Sequence, residues 1–284
     1  MHYFEIETKA KINLTLDVLY KRQDGYHEVE MIMQSISLCD RVKIKLLPQR
    51  EIRVFCDMAG VPLNEENTAY KAAKLLMETY KLDAGIEIEI TKNIPVAAGL
   101  AGGSADAAAV IIGINELFDL KKSTQQLIEF GKIIGADVPF SIIGGTALAK
   151  GIGEKLEKLP KLENIGVLLI KPPYFVSTKK VYSRLNVGTI KKRPDTANMI
   201  ERIKNNDIYG IAEGLCNVLE EVTFKMHPEL EGIKRELKEK GALGSLMSGS
   251  GPTIYGIFEN RRDAEKTAEK LSKFKSMIII TEMQ

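Results

Sequence analysis

The chain has 284 residues, 44% hydrophobic and 27% charged, the make-up of a folded globular protein, which excludes a largely disordered chain. Its 40 basic and 38 acidic side chains leave a net charge of +2, too balanced for bulk electrostatics to drive binding to nucleic acid or a membrane surface. Cys39, Cys56 and Cys216 are an odd number with no CxxC pair, which argues against a disulfide framework or zinc knuckle and for a reducing, cytoplasmic setting.

The N-terminal MHYFEIETKAK carries acidic residues where a signal peptide needs an apolar run, and no apolar stretch approaches the roughly 18 residues of a membrane span. The first ninety residues are rich in β signals. FEIETKAKINLTLDVL, EVEMIMQSISL, RVKIKLL, IRVFC and GIEIEITK alternate apolar with polar residues or carry β-branched runs, and they predict a largely antiparallel sheet. One helix interrupts them, NTAYKAAKLLMETY, with Asn67 or Thr68 as its cap and Ala69, Ala72, Ala73, Leu76 and Met77 on the face that covers the sheet. Two further helices are expected from Ser104 to about Phe118 and, after the Ser123 cap, from Thr124 to Ile134. GADVPFSIIGGTALAKG reads as a turn leading into a strand, and EKLEKLPKLEN as a linker.

GVLLIKPP then predicts a strand, residues 196–240 helices, GSLMSGSGPTIYGIF a hairpin, RDAEKTAEKLSKF an amphipathic helix and SMIIITEM a last strand. Strands and helices interleaved on one mostly antiparallel sheet make an α+β chain, with a domain boundary placed near residue 157, giving domains 1–157 and 158–284.

The chemistry-bearing candidates are scattered. Gly99, Gly102 and Gly103 precede a helix whose first-turn amides and dipole suit a polyphosphate, whereas Ser104 or Asp106 could equally be mere caps and Ala107, Ala108 and Ala109 mere packing. The order GLAGGS matches neither the GxxxxGK loop nor a GxGxxG turn, and the HRD and DFG motifs of protein kinases are missing from the sequence. Lys11 and Asn13 lie two apart on a strand and share a face, on the plain reading a solvated one. Asp137 reads as a turn aspartate, and the basic run Lys179, Lys180, Arg184, Lys191, Lys192 and Arg193 as a solvated loop or an anion-attracting one.

In their order along the chain, AKINL, DGYHEVE, PVAAGLAGGSADAAA, GADVPF, PPYFVSTKKVY and MSGSGPT resemble the GHMP kinases, small-molecule kinases named for galactose, homoserine, mevalonate and phosphomevalonate kinases. The resemblance covers essentially the whole chain. It implies a two-domain GHMP kinase fold, with an N-terminal half like a ribosomal-protein domain, a ferredoxin-like C-terminal half and the active site in the cleft between them. DGYHE and the VST segment with its later tyrosine point to the branch that transfers a phosphoryl group from ATP to the tertiary hydroxyl of a methylerythritol carrying a cytidine diphosphate, a step in making isoprenoid precursors by the non-mevalonate route.

On that resemblance Asp137 accepts the hydroxyl proton and Lys11 stabilises the developing charge. Gly99, Leu100, Ala101, Gly102, Gly103, Ser104 and Ala105 wrap the ATP phosphates together with Pro95, and Asn67 and Lys92 lie near the nucleoside. Asn13, Tyr26, His27, Asp137 and Thr178 contact the acceptor, His27 at the cytosine edge, and Tyr182 stacks on that ring. Mg2+ is implied as cofactor, with Ser104 as its ligand. Lys179 and Lys180 add positive potential beside the diphosphate. Ala98 and Ala101 replace glycines common in the family, and a methyl group is tolerated there if φ is negative, so the substitutions bear on the conformation of the loop rather than on phosphate binding. A homoserine or mevalonate kinase, a nucleic-acid-binding module of the same fold and an inactive regulator are the competing readings. The acceptor motifs, the near-neutral charge with the intact glycine loop, and the presence of both Lys11 and Asp137 argue against these in turn.

Overall fold

A computed structural model describes residues 3–271 and 276–284. The chain opens with two long strands, β1 (Tyr3–Lys21) and β2 (His27–Leu47), followed by β3 (Ile52–Cys56), α1 (Thr68–Thr79) and β4 (Gly85–Thr91). The two segments expected as separate strands are one, β2. Asp40, in the gap between those two segments, is fully buried there, and its carboxylate accepts the backbone N–H groups of Asn93 and Ile94 at 2.7 and 2.8 Å. Next come α2 (Gly102–Leu117), α3 (Thr124–Ile134), α4 (Val138–Ile143), β5 (Thr146–Gly151) and β6 (Lys155–Leu159). The segment expected to be a turn is α4, with Pro139 in its first turn, where a missing N–H costs no helical bond. The expected linker forms β6, charged and largely exposed because it pairs only with β5 and is an edge.

The remaining elements are β7 (Gly166–Lys171), α5 (Thr178–Arg184), α6 (Thr196–Lys204), α7 (Ile208–Gly214), β8 (Cys216–Asn217), α8 (Glu220–Met226), α9 (Glu229–Glu239), β9 (Gly244–Met247), β10 (Ile254–Phe258), α10 (Arg261–Lys270) and β11 (Met277–Glu282). The expected last helix matches α10 as far as Lys270, and its Ser272–Phe274 lie outside the described residues. Among the described residues no helix is long and apolar enough to cross a membrane.

Contacts group the chain into two compact units, neither continuous in sequence. The first comprises the described residues up to Ala10, Leu38–Val96 and Ala101–Gly144, and the second comprises Lys11–Ser37, Ala97–Leu100 and the described residues from Gly145 on. In the first unit β4 runs parallel to β3 and antiparallel to the C-terminal part of β2, with Ile44 opposite Ile88. The apolar stripe of α1 packs with Ala107, Ala108 and Ile111 of α2 and with Ile44, Ile86 and Ile88 of the sheet. The small alanine side chains let α1 and α2 approach closely. Asn67 caps α1, and Ser123 with Gln126 forms a capping box on α3.

In the second unit the N-terminal part of β2 pairs antiparallel with β5, and β1 pairs in parallel with β8, Leu16 opposite Asn217. A separate four-stranded antiparallel sheet runs in the order β11-β7-β10-β9. One mostly antiparallel sheet was the expectation. The separate sheet arises because β7, β9, β10 and β11 are apolar nearly throughout and bond to one another.

Candidate active site

The glycine loop is built by backbone strain. Ala97, Gly99 and Ala101 have φ of 50°, 77° and 59°, all in the left-handed region. Gly99 is required on two counts, its φ and the Ser248 carbonyl, onto which any Cβ would fall. Ala101 does not meet the condition of a negative φ: it is the N-cap residue of α2, and the chain turns there in the left-handed region with its methyl in place. The helix thus starts at Gly102, two residues before the expected Ser104, and no side chain caps it. Gly102, Gly103 and Ser104 form its first turn, whose amides point toward whatever lies beyond the N-terminus. Because an L-residue in the left-handed region costs about 1–2 kcal/mol, partly offset by the greater unfolded-state entropy of glycine, Ala101→Gly is expected to raise stability by up to about 1 kcal/mol. Urea unfolding measures it, and a loss of stability would refute the strained turn.

Lys92, expected near the nucleoside, is buried beneath this turn. Its Nζ donates to Asp40 and, at 2.9 Å, to Asp106 Oδ2 on α2, and a Cβ on Gly102 would meet it at 3.1 Å. Burial works against the ammonium, but the charges of Asp106 and Asp40 more than offset it and hold its pKa above the ordinary value. One cation does not satisfy two carboxylates. Asp40 is completed by the two backbone amides, whereas Asp106 Oδ1 is buried without a hydrogen-bond partner among the described residues, and burial pushes the Asp106 pKa up to about 7. Asn67 is likewise engaged: Oδ1 accepts from Ala69 N at 2.8 Å, and Nδ2 donates to the Pro62 carbonyl at 2.7 Å. Asp137 is half-buried at the start of α4, where its backbone carbonyl accepts from both the amide and the hydroxyl of Ser141.

In the second unit Lys11 and Asn13 share a face of β1, but that face is covered: they are only 4% and 0% exposed. Lys11 Nζ donates to Asn13 Oδ1 at 2.9 Å, and the same oxygen accepts the Gly249 N–H at 3.0 Å. The turn between β9 and β10 is the cover. Ser248 Oγ donates to the Gly99 carbonyl at 2.9 Å, and the fully buried Tyr255 hydroxyl donates to the Asn13 carbonyl at 2.7 Å. AKINL, Gly99 and MSGSGPT, far apart in sequence, thus meet.

The DGYH turn is shaped by Asp24, whose Oδ1 accepts the Tyr26 N–H at 3.0 Å, and by Arg22, whose N–H donates to the Tyr26 carbonyl at 2.8 Å. It leaves Tyr26 exposed and brings the His27 ring to 5.2 Å from the Tyr182 ring of α5, tilted by 41°. Burial, aided by the Lys21 charge, lowers the His27 pKa, so near neutral pH the imidazole is uncharged, with one donor and one acceptor. Thr178 lies one turn before Tyr182, its hydroxyl 2.8 Å from that of Ser250. Within the basic run Arg193 is not a solvated side chain: its guanidinium pairs with Asp17 at 2.5 Å and donates to the Val18 and Val187 carbonyls.

Residues 67–145 match the description "GHMP kinases N terminal domain" and residues 199–276 "GHMP kinases C terminal". A 4-diphosphocytidyl-2-C-methyl-D-erythritol kinase of Clostridioides difficile is 49% identical over 100% of this chain and 97% of its own length, and one of Acetivibrio thermocellus is 54% identical over 93% of each. The chain belongs to that kinase family, within the GHMP superfamily. A crystal structure of 4-(cytidine 5'-diphospho)-2C-methyl-D-erythritol kinase superposes with a TM-score of 0.84 at 30% identity over 99% of both chains. A homoserine kinase of Cytophaga hutchinsonii reaches 0.79 at 20% identity over 100% of this chain and 95% of its own, a likeness of fold alone.

In this GHMP kinase, sequence reasoning passed over three buried residues beside the motifs: Asp40 and Asp106, which hold Lys92, and Asn217. Asp106 lay within a quoted motif but was read as a cap. Only a polar residue inside an apolar strand or helix face signals such a role, and that signal does not name the partner.

Proposed function

We propose that the chain transfers the terminal phosphoryl group of ATP to the tertiary hydroxyl of a methylerythritol bearing a cytidine diphosphate. The observation that carries the reading is the pairing of His27 with Tyr182 beside Thr178, an aromatic and hydrogen-bonding arrangement suited to a nucleobase, in a chain about half identical to kinases named for that acceptor. Neutral imidazole offers the cytosine edge a donor and an acceptor, and the Tyr182 ring stacks on its face.

The uncapped first turn of α2 and its preceding loop receive the phosphates. Asp137 takes the acceptor proton as general base, and Lys11, its ammonium oriented by Asn13, stabilises negative charge on the transferring group. In phosphoryl transfer positioning and charge stabilisation supply most of the catalysis, so few side chains suffice. The bond from the β–γ bridging oxygen to the γ-phosphorus breaks as the acceptor oxygen bonds to that phosphorus, ADP leaves, and the hydroxyl proton goes to Asp137.

Among the described residues no cluster of three or more His, Cys, Asp or Glu side chains is placed to hold a metal. Ser104 offers a hydroxyl in the first turn of α2, a donor set that fits a magnesium ion carried largely by ATP oxygens and water, to which the protein adds few ligands. When bound, that ion neutralises charge on the phosphates.

The test is an assay of ATP with each acceptor. The cytidylyl compound is expected to turn over, and homoserine and mevalonate are not; the reverse would refute the reading. In the same assay Tyr182→Ala is expected to raise the acceptor KM by about 5- to 150-fold, the equivalent of one lost stacking contact, with the ATP KM unchanged.

A further inference from the structure

Asn217, on β8, is 4% exposed. Its Nδ2 donates to the carbonyls of Met247 and Gly249, each at 2.8 Å, and its Oδ1 accepts the Leu219 N–H at 3.0 Å. Both amide hydrogens and the oxygen are therefore used. The parallel pairing of β8 with β1, in which Asn217 stands opposite Leu16, anchors this side chain to the strand that carries Lys11 and Asn13.

The two carbonyls matter because of what lies between them. The Met247 carbonyl belongs to the peptide group before Ser248, and the Gly249 carbonyl to the one before Ser250. Between these two stands the peptide group whose N–H, that of Gly249, donates to Asn13 Oδ1 at 3.0 Å. That oxygen also holds Lys11 Nζ. Gly249 has φ of 57°, and within the turn the plane is held by its own carbonyl, that of Ser248, which accepts the Gly251 N–H at 2.9 Å. Asn217 adds a hold on the two peptide planes that flank it.

The same turn reaches the glycine loop through Ser248 and the acceptor segment through Ser250 and Thr178. An outer support holds its start: Glu220 Oε1 accepts the Met247 N–H at 3.0 Å while its other oxygen takes Lys234 Nζ at 2.6 Å.

We propose that Asn217 is a positioning residue for phosphoryl transfer. By clamping the peptide planes that flank the Gly249 N–H, it holds Asn13, and through it the Lys11 ammonium, where the reaction needs them. The inference rests on the kinase reading above.

The experiment measures kcat and both KM values of the full-length protein and of Asn217→Ala, Asn217→Asp and Asn217→Ser, well below each melting temperature. Asp keeps the shape and the acceptor for Leu219 but loses both donors and turns a carboxylate toward two carbonyls. Ser keeps a hydroxyl too short to span them and carries the test if Ala does not fold. The expected result is a kcat lowered about 10- to 100-fold, the scale of a misplacement near 1 Å, with the ATP KM changed less than about threefold. Ile257→Val, a core change in β10 away from the turn, serves as a control that lowers the melting temperature without changing kcat.

If the Asn217 variants follow the control, losing stability but not kcat, the residue is merely structural and the proposal fails. If the wild type does not turn over the cytidylyl acceptor, the kinase reading fails instead, whatever the variants do.

Discussion

Asp137→Asn is expected to lower kcat by about 10²- to 10⁴-fold while the ATP dissociation constant stays within about twofold of wild type. An amide of the same shape fills the same space, but it has no lone pair basic enough to take the acceptor proton. The turn into α4 is held by the Asp137 backbone carbonyl, which accepts the Ser141 N–H at 3.1 Å and the Ser141 hydroxyl at 3.2 Å, and Asn leaves both bonds in place. Steady-state kinetics with the cytidylyl acceptor, alongside nucleotide binding by titration, separate the two effects. A variant with wild-type kcat would refute the general-base role and leave the fold and family untouched. One that lost ATP binding as well would place Asp137 at the nucleotide rather than at the acceptor.

Legibility in the sequence followed the range of the forces involved. The Asn67 cap, the Ser123 capping box, the apolar stripe of α1 and the β9–β10 hairpin depend on neighbours within a few residues, and each lies where local pattern placed it. Partners far along the chain decide the rest. The two halves of β2 read as separate strands around Asp40, whose amide partners lie more than fifty residues away, at Asn93 and Ile94. Charged Lys155–Leu159 reads as a linker until β5 is beside it. Ala101 stands where the family commonly has glycine, but the residue itself does not announce a left-handed φ, which follows from how the loop enters α2.

The candidate site shows the same division. Motif order along the chain identified the family, because the order of several weak signals is far more specific than any one of them. It did not reveal that the Lys11–Asn13 face is covered by the Ser248–Gly249 turn, or that Arg193 is held by Asp17. Side-chain bonds spanning 236 and 176 positions have no trace in local composition.

Lys92 gives the second large expected effect, and it concerns stability. As a ligand for the nucleoside it would be dispensable to folding. In its buried place between Asp40 and Asp106, Lys92→Met is expected to cost about 3–5 kcal/mol, since removing one partner of a buried ionic cluster leaves uncompensated charge. That is a large fraction of the roughly 5–15 kcal/mol that holds a typical domain folded. Methionine nearly matches the stem of lysine, so little of the loss comes from packing, and neutralising the carboxylates tests this directly. Adding Asp106→Asn and Asp40→Asn to Lys92→Met is expected to recover part of the loss, because the stranded charges go while Asn at position 40 retains one acceptor for the Asn93 and Ile94 amides. Urea denaturation of the three proteins gives the comparison, with equal slopes required for the midpoints to be read as stability. A Lys92→Met protein as stable as wild type, with only its ATP KM raised, would return Lys92 to the nucleotide; a large stability loss with partial rescue makes it the buried strut on which the first turn of α2 rests.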